Sequence, residues 1–185
     1  DWIAIIDHDD ICMPNRLEYQ VNDIINNPKA KLLFGNSIHI NSDGDFINYQ
    51  FHKINPINFD LSSSIALEKL LKYGCFIDSE TVIFNKKMAN YIGGFNETYK
   101  YILDYDFFLR VAENYSLYCN ENVLAKWRVH PKQATQHMGE IIHIEQIKLH
   151  MDYLNKSKIR FSVKLSLLLK IFKDYTKYFL HFVLR

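Results

Sequence analysis

The sequence predicts an α/β protein in which a mixed sheet is flanked by helices and followed by a helical C-terminal extension. Short apolar runs alternate along the chain with segments of helical periodicity, and this alternation is typical of α/β sheets. Hydrophobic residues make up 48% of the 185 residues and aromatic residues 15%. A chain of this length and composition can bury the core of one domain with some helical elaboration.

The first predicted elements are a strand and a helix. Residues 2–6 are apolar at consecutive positions, which predicts a short, fully buried strand of the parallel type. Pro14 suits the first turn of a helix over residues 15–26, because its missing N–H is not needed there. The apolar face of this helix would consist of Leu17, Val21, Ile24 and Ile25.

The remaining elements follow from periodicity and from turn residues. Ser64 is a candidate N-cap for a helix that ends at Gly74, and Gly93-Gly94 would end another helix. Strands are predicted over 31–40, 46–51, 81–84 and 117–127, with a turn at 41–45 between the first two. Helices are predicted over 64–72, 86–91, 104–115 and 138–154.

The bulk composition disfavours several classes of function. The formal net charge is +1, so no overall field favours a nucleic-acid partner. The three cysteines, Cys12, Cys75 and Cys119, form no CxxC pair, which disfavours a zinc knuckle or a disulfide framework and favours a reducing cytoplasm. No run of about 18 uninterrupted apolar residues predicts a spanning helix. Because the chain opens inside a strand without an initiator Met, we expect it to be a piece of a longer protein.

Three aspartates follow the first predicted strand within four positions. Asp7, Asp9 and Asp10 surround His8, at the end of a strand where α/β proteins often place ligand sites. Carboxylates at positions i and i+2 can approach one divalent cation, and a substrate diphosphate can complete its coordination. A solvated turn that also precedes the helix after Pro14 explains the same residues. The spacing alone leaves the two interpretations open.

Two further segments carry candidate functional residues. Asp104 lies at the start of a predicted helix, where the positive end of the helix dipole favours the ionised carboxylate, which can then act as a general base. Simple N-capping is the alternative. Arg128 and His130 alternate on an extended segment and therefore point to the same side. That pair could contact diphosphate oxygens or could be ordinary surface residues.

The last segment, residues 159–185, predicts a basic amphipathic helix. At 100° per residue its apolar face consists of Leu165, Leu168, Leu169, Phe172, Phe179 and Val183. Its polar face consists of Lys170, Lys173, Asp174, Lys177 and His181. The apolar face could contact a membrane surface, the domain itself or a second protomer.

In their order along the chain, these segments resemble the C-terminal half of an inverting family 2 glycosyltransferase with a GT-A fold. The matching stretches are "WIAIIDHDDICMPNRLEYQ", "GGFNETYKYILDYDFFLR" and "KWRVHPKQAT". The resemblance implies a partial GT-A architecture, that is, a Rossmann-like mixed sheet flanked by helices. It assigns residues 1–135 to this domain, and we expect a helical extension over 136–157 and the basic amphipathic helix over 158–185. No part of the chain corresponds to the nucleotide-binding half that begins such enzymes.

The resemblance also implies a chemistry. A sugar would pass from a nucleotide-diphosphate donor to a hydroxyl acceptor with inversion, assisted by a divalent cation, Mn²⁺ or Mg²⁺. Asp9 would bind the metal, Asp7 would contact the metal or the donor, and Asp104 would be the general base. Arg128 and His130 would steady the diphosphate leaving group. One departure is that the family usually has Glu-Asp at the base motif, where this chain has Leu103-Asp104.

The implied acceptor is a saccharide or a lipid-linked molecule in the synthesis of a bacterial surface polysaccharide or glycolipid. The expected location is therefore the cytoplasm, with possible peripheral contact at the inner face of the membrane. A homo-oligomer is possible, and no nucleic-acid partner is expected. Two alternatives remain at this stage: a nucleotidyltransferase, which also uses paired aspartates and a cation, and a catalytically degenerate scaffold at the membrane.

Overall fold

A computed structural model describes residues 1–133, 140–156 and 158–183, with side chains described up to residue 180 in the last helix. Residues 1–94 and 108–130 form one compact unit, and residues 95–107 with those described in 131–185 form a second. The chain is α/β, with a mixed sheet flanked by helices and a helical C-terminal region. The domain boundary predicted at 135/136 lies outside the described residues. The boundary predicted at 157/158 adjoins Ser157, which also lies outside them, and both divisions stay predictions.

The first unit is built on a mixed sheet. The described strands are β1 Trp2–Ala4, β2 Ile11–Cys12, β3 Ala30–Ile40, β4 Phe46–Tyr49, β5 Ile83–Asn85 and β6 Ser116–Arg128. Their order is β1-β5-β3-β6-β2, and β4 pairs with β3 outside this path. The long strands β3 and β6 run parallel, whereas the other pairs of described strands are antiparallel. The carboxyl ends of β3 and β6 therefore lie side by side, with Ile40 opposite Arg128.

The predicted elements that the structure describes begin and end within two residues of their expected positions. The described helices are α1 Arg16–Asn26, α2 Ser63–Tyr73, α3 Lys86–Tyr91, α4 Leu103–Asn114, α5 Ile141–Leu154 and α6 Phe161–Val183. The predicted start of α5 at Met138 and the predicted end of α6 at Arg185 lie outside the described residues. Strand β2 was not predicted. The N-cap of α2 is Ser62 and not Ser64, because the helix already begins at Ser63, ahead of the expected cap.

Glycines end two of these helices, as predicted. Gly74 follows α2 with φ at 89°, and its N–H donates to the Leu70 carbonyl. Gly93 and Gly94 follow α3 with φ at 86° and 67°. Positive φ values are readily adopted by glycine, so these residues let the chain reverse where a side chain would be strained.

Strand β1 differs from its prediction. It was expected to be fully buried and parallel, but it pairs antiparallel with β5 and is the end strand of the described sheet. Ile3 is 39% exposed and Ile6 is 47% exposed. A run of apolar residues predicts burial on both faces, but burial depends on neighbouring elements and not only on the residues of the strand itself.

Helix α1 also packs differently from its prediction. The expected apolar face is largely exposed, at 56% for Leu17, 51% for Val21 and 69% for Ile25. The fully buried residues of α1 are instead Arg16 and Gln20. The helix is amphipathic as predicted, and Ile24 of the expected apolar face does pack against the core. The fully buried positions are polar because Arg16 and Gln20 have specific hydrogen-bond partners.

The core of the first unit lies between the sheet and its helices. Leu32 and Phe34 on β3, Leu70 on α2, Val82 before β5 and Leu124 on β6 are all fully buried. Phe34 contacts Phe51 and Phe76 edge-on or tilted, with ring centroids 6.4 and 6.1 Å apart. All three cysteines are free, in agreement with the expected absence of a disulfide framework.

In the second unit, α5 and α6 pack against each other. The side of α6 that faces α5 includes Val163, Leu167 and Asp174, which are 3%, 0% and 7% exposed. His143 Nδ1 on α5 lies 3.2 Å from Asp174 Oδ1. Asp174 was predicted on the outer polar face, and its pairing with α5 explains the difference. Among the described helices, none is long and apolar enough to cross a membrane.

Candidate functional site

Arg16 of α1 holds the chain just before the turn that carries the three aspartates. Its Nη2 group donates to the Ile5 carbonyl at 2.7 Å and to the Val82 carbonyl at 3.0 Å. The Ile5 N–H also donates to the Val82 carbonyl, at 3.0 Å. A single buried guanidinium therefore joins the end of the strand that precedes Asp7 to the chain entering β5.

Gln20 supports Arg16 from the next turn of α1. Gln20 Oε1 accepts a hydrogen bond from Arg16 Nε at 3.2 Å, and Gln20 Nε2 donates to the Thr81 carbonyl at 2.8 Å. The spacing i, i+4 places both side chains on one side of the helix. Three backbone carbonyls are thus satisfied by two side chains, which explains why polar residues and not leucines are buried here.

The other side of the turn is held by β6. Ile11 pairs with Lys126 and Cys12 with Ala125, so β2 continues the sheet directly after the aspartates. The Arg128 N–H donates to Asp10 Oδ1 at 2.8 Å. The Arg128 side chain donates through Nε to the Asp9 carbonyl at 3.0 Å.

Arg128 also binds the neighbouring turn. Its Nη1 donates to the Asn41 carbonyl at 3.2 Å and to the Ser42 carbonyl at 3.1 Å. This guanidinium therefore clamps together two loops that are more than 30 residues apart in sequence. In this geometry Arg128 positions the aspartate turn, and the leaving-group contact that the resemblance implies for it stays a prediction.

Asp9 has a hydrogen-bonding partner in His130. His130 Nε2 lies 2.8 Å from Asp9 Oδ2, and the side chains are 23% and 28% exposed. The hydrogen bond from His130 is the main cause that lowers the pKa of Asp9. Asp9 is therefore held in one orientation, ionised and within reach of solvent.

Asp10 is adjacent in sequence but has a different environment. The pKa of Asp10 is raised to about 6, first by burial and then by the nearby charges of Asp9, Asp7 and Asp78, against the lowering effect of the Arg128 N–H. Among the described residues, Asp10 Oδ2 has no hydrogen-bond partner. Asp7, by contrast, is exposed to solvent.

Two more carboxylates lie within electrostatic range of this turn. Burial and the charge of Asp78 raise the pKa of Glu80, with smaller contributions from Asp10 and Asp7. Glu80 is 3% exposed, and its Oε1 has no partner among the described residues. The turn is therefore strongly acidic, and a bound cation would relieve repulsion there.

A hydrogen-bonded group on β3 orients Asp78. Ser37 Oγ donates to Asp78 Oδ2 at 2.5 Å, and His39 Nε2 lies 3.1 Å from the same oxygen. The His39 ring also contacts Trp127 on β6, with centroids 4.6 Å apart. Sequence reasoning missed this group because its members are about 40 residues apart and match no motif. The one available signal was Ser37 and His39 at i and i+2, which share a face of the strand.

Asp104 lies in the first turn of α4 and in the second compact unit. Its side chain is partly exposed, and Asp104 Oδ1 accepts a hydrogen bond from the N–H of Tyr105 at 2.7 Å. Further along α4, Arg110 donates to the Ile92 and Gly94 carbonyls at 2.9 and 2.7 Å. Arg110 therefore joins α4 to the glycine turn that follows α3, within the first unit.

The carboxylates of the turn suit a hard divalent cation that is also bound by substrate phosphates. No group of three or more His, Cys, Asp or Glu side chains among the described residues is arranged to hold one ion. Mg²⁺ and similar hard cations are commonly bound by one or two carboxylates together with substrate phosphates. Asp7 and Asp9 offer such carboxylates, and beside them the buried Asp10 Oδ2 has no hydrogen-bond partner among the described residues. The donor set therefore fits a cation that arrives with a diphosphate and not a metal held by protein alone.

The structure thus brings together four of the five predicted site residues. Asp7 and Asp9 share a turn with Asp10, and Arg128 and His130 both contact Asp9. These contacts join two segments that are about 120 residues apart in sequence. The residues that sequence reasoning missed are Arg16, Gln20, Ser37, His39, Asp78 and Glu80.

The known proteins that this chain resembles include several named as glycosyltransferases. The chain is similar to uncharacterised glycosyltransferases from three Rickettsia species. It is 29% identical over 139 residues to the Rickettsia felis protein, which covers 74% of this chain and 22% of the relative. It is 30% identical over 142 residues to the Rickettsia prowazekii protein, covering 72% of this chain and 41% of the relative. It is 29% identical over 143 residues to the Rickettsia typhi protein, covering 73% and 42%.

The chain thus spans between about a fifth and two-fifths of the length of these relatives. No family model matches it. The shared region supports a glycosyltransferase in general.

Proposed function

We propose that this chain is part of a glycosyltransferase that moves a sugar from a nucleotide-diphosphate donor to a hydroxyl acceptor, with inversion and with help from a divalent cation. The family 2 assignment and the GT-A fold belong to the same proposal. The observation that carries it is the contact of Asp9 with both Arg128 and His130. Two motifs of the predicted active site, distant in sequence, meet at one acidic turn.

In this proposal Asp9 and Asp7 hold the cation. His130 keeps Asp9 ionised and fixes its carboxylate, as a second partner commonly does for a metal ligand. The bound cation would neutralise charge on the diphosphate as it leaves the sugar. Arg128 fixes the backbone of Asp9 and of the turn at 41–42, so that the ligands are already in place before the donor binds.

Asp104 is proposed as the general base that accepts the proton of the acceptor hydroxyl. Its position in the first turn of α4 favours the ionised carboxylate, because the N-terminal end of the helix carries partial positive charge. Its partial exposure leaves it accessible to an acceptor. The acceptor is proposed to be a saccharide or lipid-linked molecule used in surface polysaccharide or glycolipid synthesis, at the cytoplasmic face of the membrane.

The test is product analysis with Mn²⁺ and a panel of nucleotide-diphosphate sugars. A glycosyltransferase releases a nucleoside diphosphate, whereas a nucleotidyltransferase releases or consumes pyrophosphate. Release of pyrophosphate would replace the proposal with nucleotidyl transfer. Donor binding without any turnover, over the whole panel and with added membrane lipids as acceptors, would favour the catalytically inactive scaffold.

Substitution of the proposed base gives the largest expected change in activity. Asp104→Asn should lower the transfer rate by about a thousandfold or more, because an amide cannot accept the proton, while the donor KM stays nearly unchanged. Glu97→Gln, at an exposed acid of the same unit, is the matched control and should retain activity. Normal turnover by Asp104→Asn would exclude Asp104 as the base.

A further inference from the structure

The outward face of α6 is apolar, and within the part of the chain that the structure describes its side chains are largely exposed to solvent. The helix packs on α5 through Val163, Leu167 and Asp174. On the opposite side lie six large apolar residues that are between 49% and 73% exposed: Leu165, Leu168, Leu169, Phe172, Tyr175 and Phe179. At 100° per residue they span an arc of about 120°.

Lysines border this arc on both sides. Lys164 lies just beyond one edge, and Lys173 and Lys177 lie beyond the other. Lys173 and Lys177 are exposed and Lys164 is partly exposed. Long lysine side chains in this position can keep their ammonium groups in water or among phosphates while the stems cover apolar surface.

The charge of the segment has one sign. Residues 156–185 contain eight Lys and Arg residues and a single acid, Asp174. Asp174 faces α5 and is buried, so it does not offset the outer charge. Lys170 also lies on the inner side, where burial lowers its pKa to about 8. The outer surface of α6 is therefore apolar at its centre and positive at both borders.

We infer that this face of α6 binds the surface of a membrane that contains anionic lipids, with the helix lying in the plane of the interface. A central apolar strip flanked by cationic residues is the arrangement of interfacial helices. A second copy of the chain is a poorer partner, because two such faces placed together would bring lysine borders opposite lysine borders. Anionic headgroups match both borders. The inference does not rest on the proposed function, since lipid binding requires neither donor nor metal.

Vesicle co-sedimentation of the whole chain tests the inference. The wild-type chain should bind vesicles of phosphatidylcholine with 30% phosphatidylglycerol at least tenfold more tightly than pure phosphatidylcholine, and 0.5 M NaCl should reduce this difference. The variant Lys164→Gln/Lys173→Gln/Lys177→Gln should weaken binding to the anionic vesicles by about a hundredfold. The same three-lysine change at Lys29, Lys86 and Lys87, which are exposed in the first unit, should change it less than threefold.

A second pair of variants tests the apolar strip. Phe172→Gln/Phe179→Gln should weaken binding at least tenfold, because less apolar surface would enter the interface. Leu17→Gln/Ile25→Gln, at matched exposed positions on α1, should leave binding within threefold of the wild type. Far-UV circular dichroism of each variant must show unchanged helix content, so that any loss reports on lipid contact.

Three outcomes would overturn the inference. The first is failure of the wild-type chain to bind anionic vesicles. The second is binding that neither the lysine nor the phenylalanine variant weakens. The third is a concentration-dependent dimer in sedimentation analysis that Phe172→Gln/Phe179→Gln dissociates while vesicle binding persists, which would assign the face to a second copy. None of these results bears on sugar transfer.

Discussion

Helices α1 and α6 both turn apolar side chains outward, but their inward sides serve different purposes. In α1 the buried polar residues Arg16 and Gln20 donate to backbone carbonyls that support the aspartate turn. In α6 the buried acid Asp174 pairs with His143 of the neighbouring helix. The polar side of α1 supports the candidate site. The inner side of α6 packs on α5, and the apolar face of α6 stays exposed to solvent. The direction in which an amphipathic helix faces is thus set by specific polar partners as well as by apolar burial.

The largest expected effect on stability comes from the polar side of α1. Arg16→Met should lower the free energy of unfolding by about 3 kcal/mol or more, because the Ile5 carbonyl and Gln20 Oε1 lose a donor and the Val82 carbonyl keeps only the Ile5 N–H. Urea denaturation measures this change. If Arg16→Met were as stable as the wild type, the buried guanidinium would not be what holds α1 and the aspartate turn together.

The next largest expected effect is a pH dependence of stability, which arises where α5 packs on α6. His150 on α5 is 4% exposed, and neither ring nitrogen has a hydrogen-bond partner among the described residues. Burial, followed by the charge of Lys170, lowers the pKa of His150 to about 4 from 6.5. A lowered folded-state pKa contributes stability that is present above pH 6.5 and lost as the pH falls toward 4. The loss is of the order of 3 kcal/mol.

Two variants isolate this contribution. His150→Leu should remove most of the decrease in stability between pH 6.5 and 4, measured by urea denaturation at several pH values. His52→Gln, at an exposed histidine, should leave the decrease unchanged. An equal pH dependence in the wild type and in His150→Leu would show that His150 is not the group that titrates.

The smallest effects are expected on the two outward faces. Val21→Gln on α1 and Leu169→Gln on α6 should each change the free energy of unfolding by less than about 0.5 kcal/mol, because both side chains are already largely exposed. The contrast between α1 and α6 is clearest if both variants leave the stability of the fold unchanged while only Leu169→Gln weakens lipid binding. A loss of 2 kcal/mol or more in either variant would mean that the face is covered in solution.

The sequence predicted elements better than it predicted environments. The ends of α2 and α3 follow from Gly74 and from Gly93-Gly94, which act locally, so these predictions are confirmed. The strand at 2–6 was wrongly expected to be buried and parallel, because its single pairing partner β5 lies about 80 residues away. Neighbouring elements, which local periodicity does not reveal, decide which side of an element is covered.

In the candidate site, too, some features were predicted from the sequence and others were not. The resemblance assigned Asp9, Arg128 and His130 to one donor site, and the structure places both Arg128 and His130 in contact with Asp9. The support from Arg16 and the group around Asp78 depend on hydrogen bonds to distant backbone or side chains. No local pattern encodes such partners. The roles proposed for Asp7, Asp9, Asp104, Arg128 and His130 stay predictions.

The most direct test of the central claim is calorimetric titration of the chain with a preformed Mn²⁺–pyrophosphate complex, which represents the diphosphate part of a donor. The wild type should bind this complex more tightly than Mn²⁺ or pyrophosphate alone, and Asp9→Asn should weaken binding at least tenfold. Asp43→Asn, at an exposed acid of the neighbouring turn, is the control and should bind normally. Binding of the complex that is unaffected by Asp9→Asn, or no binding by the wild type at millimolar concentration, would contradict a metal–diphosphate site at the aspartate turn.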